Sequence, residues 1–167
     1  MILYLDTSAL VKLYIEEEGT DEVQQAVEDA ESVTTSAVAY PEARSAFARL
    51  ERDGHLSPEE HRTIIADLDG EWPSYEVVDV TREVAGVAGA LAARHLLRGF
   101  DAVHLASALV LKAARDLYSR EAPERGEAET PPPEVRLMTY DRPLLAAARA
   151  EDLAYESPST VSDSEPT

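Results

Sequence analysis

Apolar residues follow two patterns in this chain: short continuous runs, and longer segments with an apolar residue at every third or fourth position. The short runs predict strands at residues 2–5, 32–35, 76–80, 135–139 and 153–155. The longer segments predict amphipathic helices between them. Strands separated by helices predict an α/β fold, with a central parallel sheet of four to five strands and helices on both faces.

Polar residues mark where several of these helices begin. Ser57 is followed by Pro58, Glu59 and Glu60. This order predicts an N-cap at Ser57, a proline at the first helical position and a capping box between Ser57 and Glu60. Thr81 predicts the N-cap of the next helix. These signals support the helical interpretation of the segments that follow them.

We expect one domain over residues 1–155. Within it, residues 119–133 are rich in Glu, Pro and Ala, which predicts an acidic, proline-rich loop with little regular structure. Residues 156–167 predict a disordered polar tail. We find no internal repeat and no sign of a second domain.

The composition describes a folded protein of 167 residues, 44% of them apolar. The absence of cysteine excludes disulfides, thiolate metal sites and a cysteine nucleophile, and it fits a reducing compartment. The first apolar run is too short for a signal peptide or a membrane span. We therefore expect a cytoplasmic protein that makes no contact with a membrane.

The net charge of −18 is unusual for a protein that binds nucleic acid. The only lysines are Lys12 and Lys112, and Asp, Glu and Ala are abundant. Two interpretations stay open: adaptation to high salt, which screens charge, or a merely acidic and soluble surface. Either one argues against broad, non-specific affinity for nucleic acid.

Four acidic residues lie where a predicted strand ends or a predicted helix begins. Asp6 and Asp141 follow strands, and Glu42 and Asp101 lie near helix starts. In an open α/β sheet, the carboxyl ends of the strands form the ligand crevice. Carboxylates at that edge repel one another unless a cation binds, and a hard divalent cation facing a phosphodiester indicates nuclease chemistry.

Each of these acids also has an ordinary structural interpretation. Asp6 and Asp141 are suited to cap the helices that follow them, and Asp101 to complement a helix dipole. Glu42 is suited to a solvated helix face. Their coincidence at equivalent positions favours a shared functional role over four separate structural roles.

The acids lie in four motifs, at residues 5–14, 41–46, 100–106 and 139–144, which read LDTSALVKLY, PEARSA, FDAVHLA and TYDRPL. Together these motifs resemble those of PIN-domain ribonucleases, in particular the VapC toxins of toxin–antitoxin pairs. The resemblance runs from residue 1 to about residue 155. The acidic insertion at 119–133 and the polar tail depart from the family pattern without touching a motif.

The resemblance implies a PIN-like fold and a metal-dependent endoribonuclease. By it, Asp6, Glu42 and Asp101 would form the principal site for Mg²⁺ or Mn²⁺, and Asp141 would complete that site or help to hold a second ion. A water activated by the metal would hydrolyse RNA to 5′-phosphate and 3′-hydroxyl ends. The resemblance further implies a small antitoxin protein as partner and a homodimer.

Residues beside the acids have two interpretations each. Ser8 and Thr139 are placed to orient a carboxylate or to make a local structural bond. Arg44 and Arg142 are placed to contact RNA phosphates or to form structural salt bridges. His104 has no histidine at ligand spacing, and we interpret it as a packed helix residue.

Three other functions are alternatives to that of a toxin. A phosphoacceptor receiver domain would need paired acids after the first strand and a late lysine, but Asp6 precedes Thr7 and no lysine follows Lys112. A non-catalytic binding module has no need of all four acids. A PIN nuclease of RNA processing or DNA repair, acting without an antitoxin, has the same site as a toxin, although the short chain favours the toxin.

Overall fold

The computed structural model describes residues 1–125 and 131–156, and a parallel five-stranded sheet forms its centre. The strands are β1 (Ile2–Leu5), β2 (Ser32–Ser36), β3 (Glu76–Val78), β4 (Val135–Met138) and β5 (Ala154–Glu156). Their order across the sheet is β3-β2-β1-β4-β5, so the chain moves outward from β1 on one side and then returns to β4 on the other.

Helices connect these strands in the predicted order. They are α1 (Thr7–Leu10), α2 (Thr20–Asp29), α3 (Ala39–Arg52), α4 (Pro58–Glu71), α5 (Arg82–His95), α6 (Gly99–Arg120) and α7 (Arg142–Ala150). The α/β fold class and the parallel sheet are confirmed, with five strands. No helix in the two described ranges is both long enough and apolar enough to span a membrane.

Alternating residues of β1 divide the core into two layers. Ile2 and Tyr4 face α5, α6 and α7, while Leu3 and Leu5 face α1 and α2 on the other side. All four side chains are buried, as the continuously apolar sequence of a strand covered on both faces requires. A third cluster, built around Phe47 and Leu68, joins α3 to α4.

The helix starts at Ser57 and Thr81 form as their sequences predict. Ser57 and Glu60 make the reciprocal bonds of a capping box, with the Ser57 hydroxyl accepting from the Glu60 amide and the Glu60 carboxylate accepting from the Ser57 amide. Thr81 accepts from the Val84 amide. Both caps are local features, which is why the sequence alone identifies them.

Two predicted segments lie partly outside the described residues. In the acidic 119–133 segment, α6 continues to Arg120 and a short 3₁₀ turn covers Ala122–Arg125, while 126–130 are not described. In the 156–167 segment, Glu156 belongs to β5 and residues 157–167 are not described. The domain limits and the disordered tail stay predictions.

The topology fixes where a ligand site forms. All strands are parallel, so their carboxyl ends share one edge of the sheet. β1 and β4 are neighbours, and the chain order reverses between them, which opens a crevice at that edge. Asp6 directly follows β1, and Asp141 comes three positions after the last residue of β4, so both lie at this crevice.

Candidate active site

Asp6 lies between the end of β1 and the start of α1, and it is 4% exposed. Its Oδ1 accepts hydrogen bonds from the Ser8 hydroxyl at 2.7 Å and from the Ala9 amide at 2.9 Å. Its Oδ2 accepts from the Thr139 hydroxyl at 2.7 Å. Asp6 therefore caps α1, and two neighbouring segments of the sheet edge fix its carboxylate.

The loop between β4 and α7 is tied to the same place. The Tyr140 amide donates to the Ser8 hydroxyl oxygen at 2.8 Å, and the Asp141 amide donates to the Thr139 hydroxyl oxygen at 3.0 Å. Asp141 Oδ1 accepts from the Leu144 amide at 2.8 Å and so caps α7. Ser8 and Thr139 thus hold Asp6 and the backbone around Asp141 together.

Glu42 reaches the site from the first turn of α3, and its side chain is 25% exposed. Its Oε2 accepts from the Thr7 hydroxyl at 2.6 Å and lies 3.0 Å from His104 Nε2. His104 is also packed in the core, as its sequence context predicts. This packing is as expected, and in addition the ring contacts Glu42, one of the four acids.

Asp101 lies in the first turn of α6, with its side chain 23% exposed. The Arg98 guanidinium, three residues earlier, approaches it at 4.0 Å. Burial raises the pKa of Asp101, and the negative charge of Asp141 raises this pKa further. Asp6 and Glu42 act in the same direction, while Arg98 opposes them. The four acids are therefore close enough to interact electrostatically.

The surroundings shift the pKa values of Asp6 and Glu42 in opposite directions. Burial raises the pKa of Asp6, even though His104 and the hydroxyls of Thr139 and Ser8 oppose that shift. Burial also acts to raise the pKa of Glu42, but the hydrogen bonds from His104 and Thr7 outweigh it and leave this pKa below its ordinary value. A cation favours the charged form of both carboxylates.

The donor set fits a hard divalent cation in its chemistry. Carboxylate oxygens are the ligands that Mg²⁺ and Mn²⁺ prefer. Within residues 1–125 and 131–156, however, no three His, Asp or Glu side chains form a group that could hold an ion directly. Because Mg²⁺ retains several waters, these acids fit an ion that some of them reach through water.

The two arginines beside the acids have different surroundings. Arg44 donates to the Tyr40 hydroxyl at 2.6 Å and contacts Asp69 at 3.3 Å, a structural salt bridge. Arg142 is exposed at the first position of α7, next to Asp141. Of the two arginines, only Arg142 is the immediate sequence neighbour of one of the four acids.

Sequence reasoning missed the polar partners of Glu42. Thr7 follows Asp6 directly, and His104 lies three residues after Asp101, so both belong to motifs that already drew attention. Helical spacing places His104 on the same face as Asp101. The spacing does not reveal that Glu42 of α3 lies opposite that face, because this depends on how distant elements pack.

Comparison with known proteins identifies, along most of the chain, the same family that the four sequence motifs resemble. A family model described as "PIN domain" matches residues 3–116, a range that contains Asp6, Glu42 and Asp101. The chain is 38% identical over 110 residues to a protein named Ribonuclease VapC45 from Mycobacterium tuberculosis. That match covers 66% of this chain and 76% of the relative.

Solved structures share the fold at lower identity. FitAcB from Neisseria gonorrhoeae matches with a TM-score of 0.61 and 19% identity, covering 95% of this chain and 98% of that one. A structure described as a toxin–antitoxin complex from Klebsiella pneumoniae matches with a TM-score of 0.58 and 18% identity, covering 93% and 97%. At these identities the likeness concerns the fold.

Proposed function

This chain belongs to the PIN-domain family, in its VapC branch, and from that premise we propose that it is an endoribonuclease acting as the toxin of a toxin–antitoxin pair. The observation that carries the proposal is the convergence at one edge of the sheet, where hydrogen bonds of Ser8 and Thr139 join Asp6 to the loop of Asp141, and Thr7 bonds to Glu42. The name Ribonuclease VapC45, carried by a 38% identical relative, supports the choice of RNA as substrate.

We propose that Asp6, Glu42, Asp101 and Asp141 hold Mg²⁺ or Mn²⁺, some of them through water. Such an ion lowers the pKa of water for attack on phosphorus and neutralises charge on the phosphodiester. Ser8 and Thr139 fix Asp6 by their hydroxyls, so that its carboxylate needs no reorganisation when RNA arrives. Asp141 is held similarly by the α7 amide that it caps.

We propose that Arg142 contacts an RNA phosphate, because it is exposed and adjoins Asp141. Arg44 is the weaker candidate, because its guanidinium already contacts Asp69 and Tyr40. Replacing Arg142 with Ala should weaken RNA binding and leave the ion affinity unchanged. The same replacement at Arg44 should act mainly on stability.

The proposed partners are RNA, a small antitoxin protein and a second copy of this chain, in the cytoplasm. The Klebsiella pneumoniae structure of the same fold is described as a toxin–antitoxin complex, which supports an antitoxin over a solitary PIN nuclease or a non-catalytic binding module. A short open reading frame directly upstream would encode the partner. Its co-expression should relieve growth arrest caused by this protein alone.

The experiment that tests the ribonuclease proposal is cleavage of a transfer-RNA mixture by the purified protein, with Mg²⁺ or with EDTA. We expect cleavage with Mg²⁺ and none with EDTA. Asp6→Asn and Asp101→Asn should each lower the rate by more than about 100-fold, which exceeds the usual effect of losing an orienting partner.

The control for these substitutions is Asp67→Asn, on the exposed surface of α4. This variant should cleave at the wild-type rate, which separates loss of the site from loss of one negative charge. Cleavage at the wild-type rate by folded Asp6→Asn or Asp101→Asn protein would remove the assignment.

A further inference from the structure

A buried histidine lies directly behind one of the four acids. The His104 side chain on α6 is only 3% exposed. Its Nε2 lies 3.0 Å from Glu42 Oε2, and its Nδ1 lies 3.2 Å from the Tyr4 hydroxyl. One imidazole ring therefore connects β1, α6 and α3.

The direction of these hydrogen bonds follows from the groups that make them. A carboxylate has no hydrogen, so His104 Nε2 must donate to Glu42. The other ring nitrogen, Nδ1, faces the Tyr4 hydroxyl. Tyr4 is fully buried and packs edge-on against the ring, with 6.1 Å between the centroids. The bond to Glu42 thus requires a hydrogen on Nε2, and the contacts with Tyr4 fix the orientation of the ring.

Glu42 is held from a second direction by Thr7. The Thr7 hydroxyl donates to Oε2 at 2.6 Å and lies 3.0 Å from His104 Nε2. In the part of the chain that the structure describes, both bonds end on Oε2, and Oε1 accepts no hydrogen bond. Glu42 is thus ordered in advance, with one oxygen left for a ligand.

We propose that His104 is a positioning residue of the active site, which with Tyr4 behind it holds Glu42 in the orientation that binds a divalent ion. This inference rests on the proposed function, since it requires Glu42 to bind that ion. The burial of His104 excludes contact with RNA. Its effect therefore reaches the reaction through the side chains that it holds, chiefly Glu42.

The test compares His104→Leu, which removes the donor, with His104→Gln, which keeps an N–H group near the position of Nε2. The readouts are the dissociation constant of Mn²⁺ for the RNA-free protein, followed by the electron paramagnetic resonance of free Mn²⁺, and the Mg²⁺ concentration that gives half-maximal RNA cleavage; both should move together. His104→Leu should raise this concentration by about 10- to 100-fold, the usual cost of losing a residue that orients a metal ligand. The rate at saturating Mg²⁺ should fall much less, and His104→Gln should restore most of the affinity.

Tyr4→Phe tests the contact on the other side of the His104 ring. It removes the hydroxyl that faces Nδ1 and keeps the buried ring. We expect a shift in the Mg²⁺ requirement in the same direction as for His104→Leu, but smaller. Added to His104→Leu, it should cause no further shift, because Tyr4 acts through the imidazole.

The matched control is His61→Leu on α4, which removes another contact between a histidine and a glutamate of α3. His61 contacts Glu51, nine residues after Glu42 and so about 13 Å away along the helix axis. This variant should keep the wild-type Mg²⁺ requirement. A shift equal to that of His104→Leu would mean that any loss of packing on α3 produces the effect, and would overturn the proposal.

An unchanged Mg²⁺ requirement in folded His104→Leu protein also overturns the positioning role. If His104→Leu does not fold, Tyr4→Phe decides, and an unshifted requirement there overturns it. These outcomes differ from failure of the proposed function, in which the wild-type protein itself does not cleave RNA with Mg²⁺. In that case both proposals fall together.

Discussion

At the scale of single residues, Asp6 and Asp141 fit both interpretations that a sequence presents as alternatives, as helix caps and as candidate ligands of an ion. Each caps a helix, and each lies at the carboxyl edge of the sheet. Capping turns a carboxylate toward a helix N-terminus, where amide groups already favour negative charge. A structural cap therefore does not argue against a functional role, because the same bonds hold the acid at the crevice.

Asp101 yields a prediction about stability and pH. The folded-state pKa of Asp101 is raised above its ordinary value by burial and by the charge of Asp141, so its charge opposes folding once the pH rises through that folded-state pKa. Asp101→Asn should therefore raise the unfolding midpoint at pH 7, measured in EDTA. At pH 4 the gain should be smaller, because a larger share of the wild-type carboxyl is protonated there than at pH 7.

The comparison for Asp101 is Asp67→Asn, on an exposed face of α4. That substitution should change stability by less than about 0.5 kcal/mol at either pH. A gain for Asp101→Asn that is equal at pH 4 and pH 7 would show that Asp101 is not destabilised by its negative neighbours.

At the scale of secondary structure, the loop before α2 is locked onto the β4–α7 loop. The Tyr140 hydroxyl donates to the Gly19 carbonyl at 2.9 Å, and Lys12 Nζ lies 4.2 Å from the centre of the Tyr140 ring. Gly19 has a φ of +92°, and a Cβ there would collide with the Tyr140 ring. Because Tyr140 adjoins Asp141, this contact links the loop to the active site.

Gly19→Ala and Gly54→Ala form a matched pair that separates collision from backbone strain. Gly54 has a φ of +80°, with nothing within 4 Å of an added Cβ, so its substitution should cost only strain, about 1–3 kcal/mol. Gly19→Ala should cost more and also slow RNA cleavage through the displaced Tyr140. Urea unfolding of both variants measures the difference, and equal losses would contradict it.

The sequence predicts the secondary structure well for a physical reason. Strand and helix periodicities and the caps at Ser57 and Thr81 are local, so they can be read without knowing the fold. The order β3-β2-β1-β4-β5 depends on contacts between distant segments, so local patterns in the sequence do not reveal it. The contact between His104 and Glu42 escapes prediction for the same reason, because it joins two helices 62 residues apart in sequence.

The ends of elements show the limit of local patterns. Residues 76–80 predict a strand, but β3 ends at Val78 and Thr81 then caps α5. Residues 153–155 predict a strand that the structure places at Ala154–Glu156. Pairing with a neighbouring strand decides such ends: β3 stays a strand only where it pairs with β2, up to Val78.

At the scale of the whole molecule, the net charge of −18 affects both stability and binding. Self-repulsion opposes the compact state, and salt screens it over a few ångströms at molar concentration. The unfolding midpoint should therefore rise between low and 1 M KCl. A gain of about 1–2 kcal/mol corresponds to roughly 2–8 °C for a chain of this size.

Salt dependence also distinguishes the two interpretations of the acidic surface. A protein adapted to high salt should gain stability up to molar KCl, whereas an ordinary acidic surface should gain little beyond physiological salt. A midpoint that does not rise would end the high-salt interpretation. The proposed site does not depend on this result, because the topology of the sheet sets the positions of its acids.

The proposed function requires four acids from distant parts of the chain to bind a divalent ion together. Titration of the RNA-free protein with Mn²⁺ in 1 M KCl, followed by the electron paramagnetic resonance of free Mn²⁺, tests it most directly, because salt suppresses loose binding to the acidic surface. We expect saturable binding that is weakened by each of four substitutions, Asp6→Asn, Glu42→Gln, Asp101→Asn and Asp141→Asn. Asp67→Asn should leave the binding unchanged. Absence of saturable binding, or binding that these four substitutions leave unchanged, would contradict it.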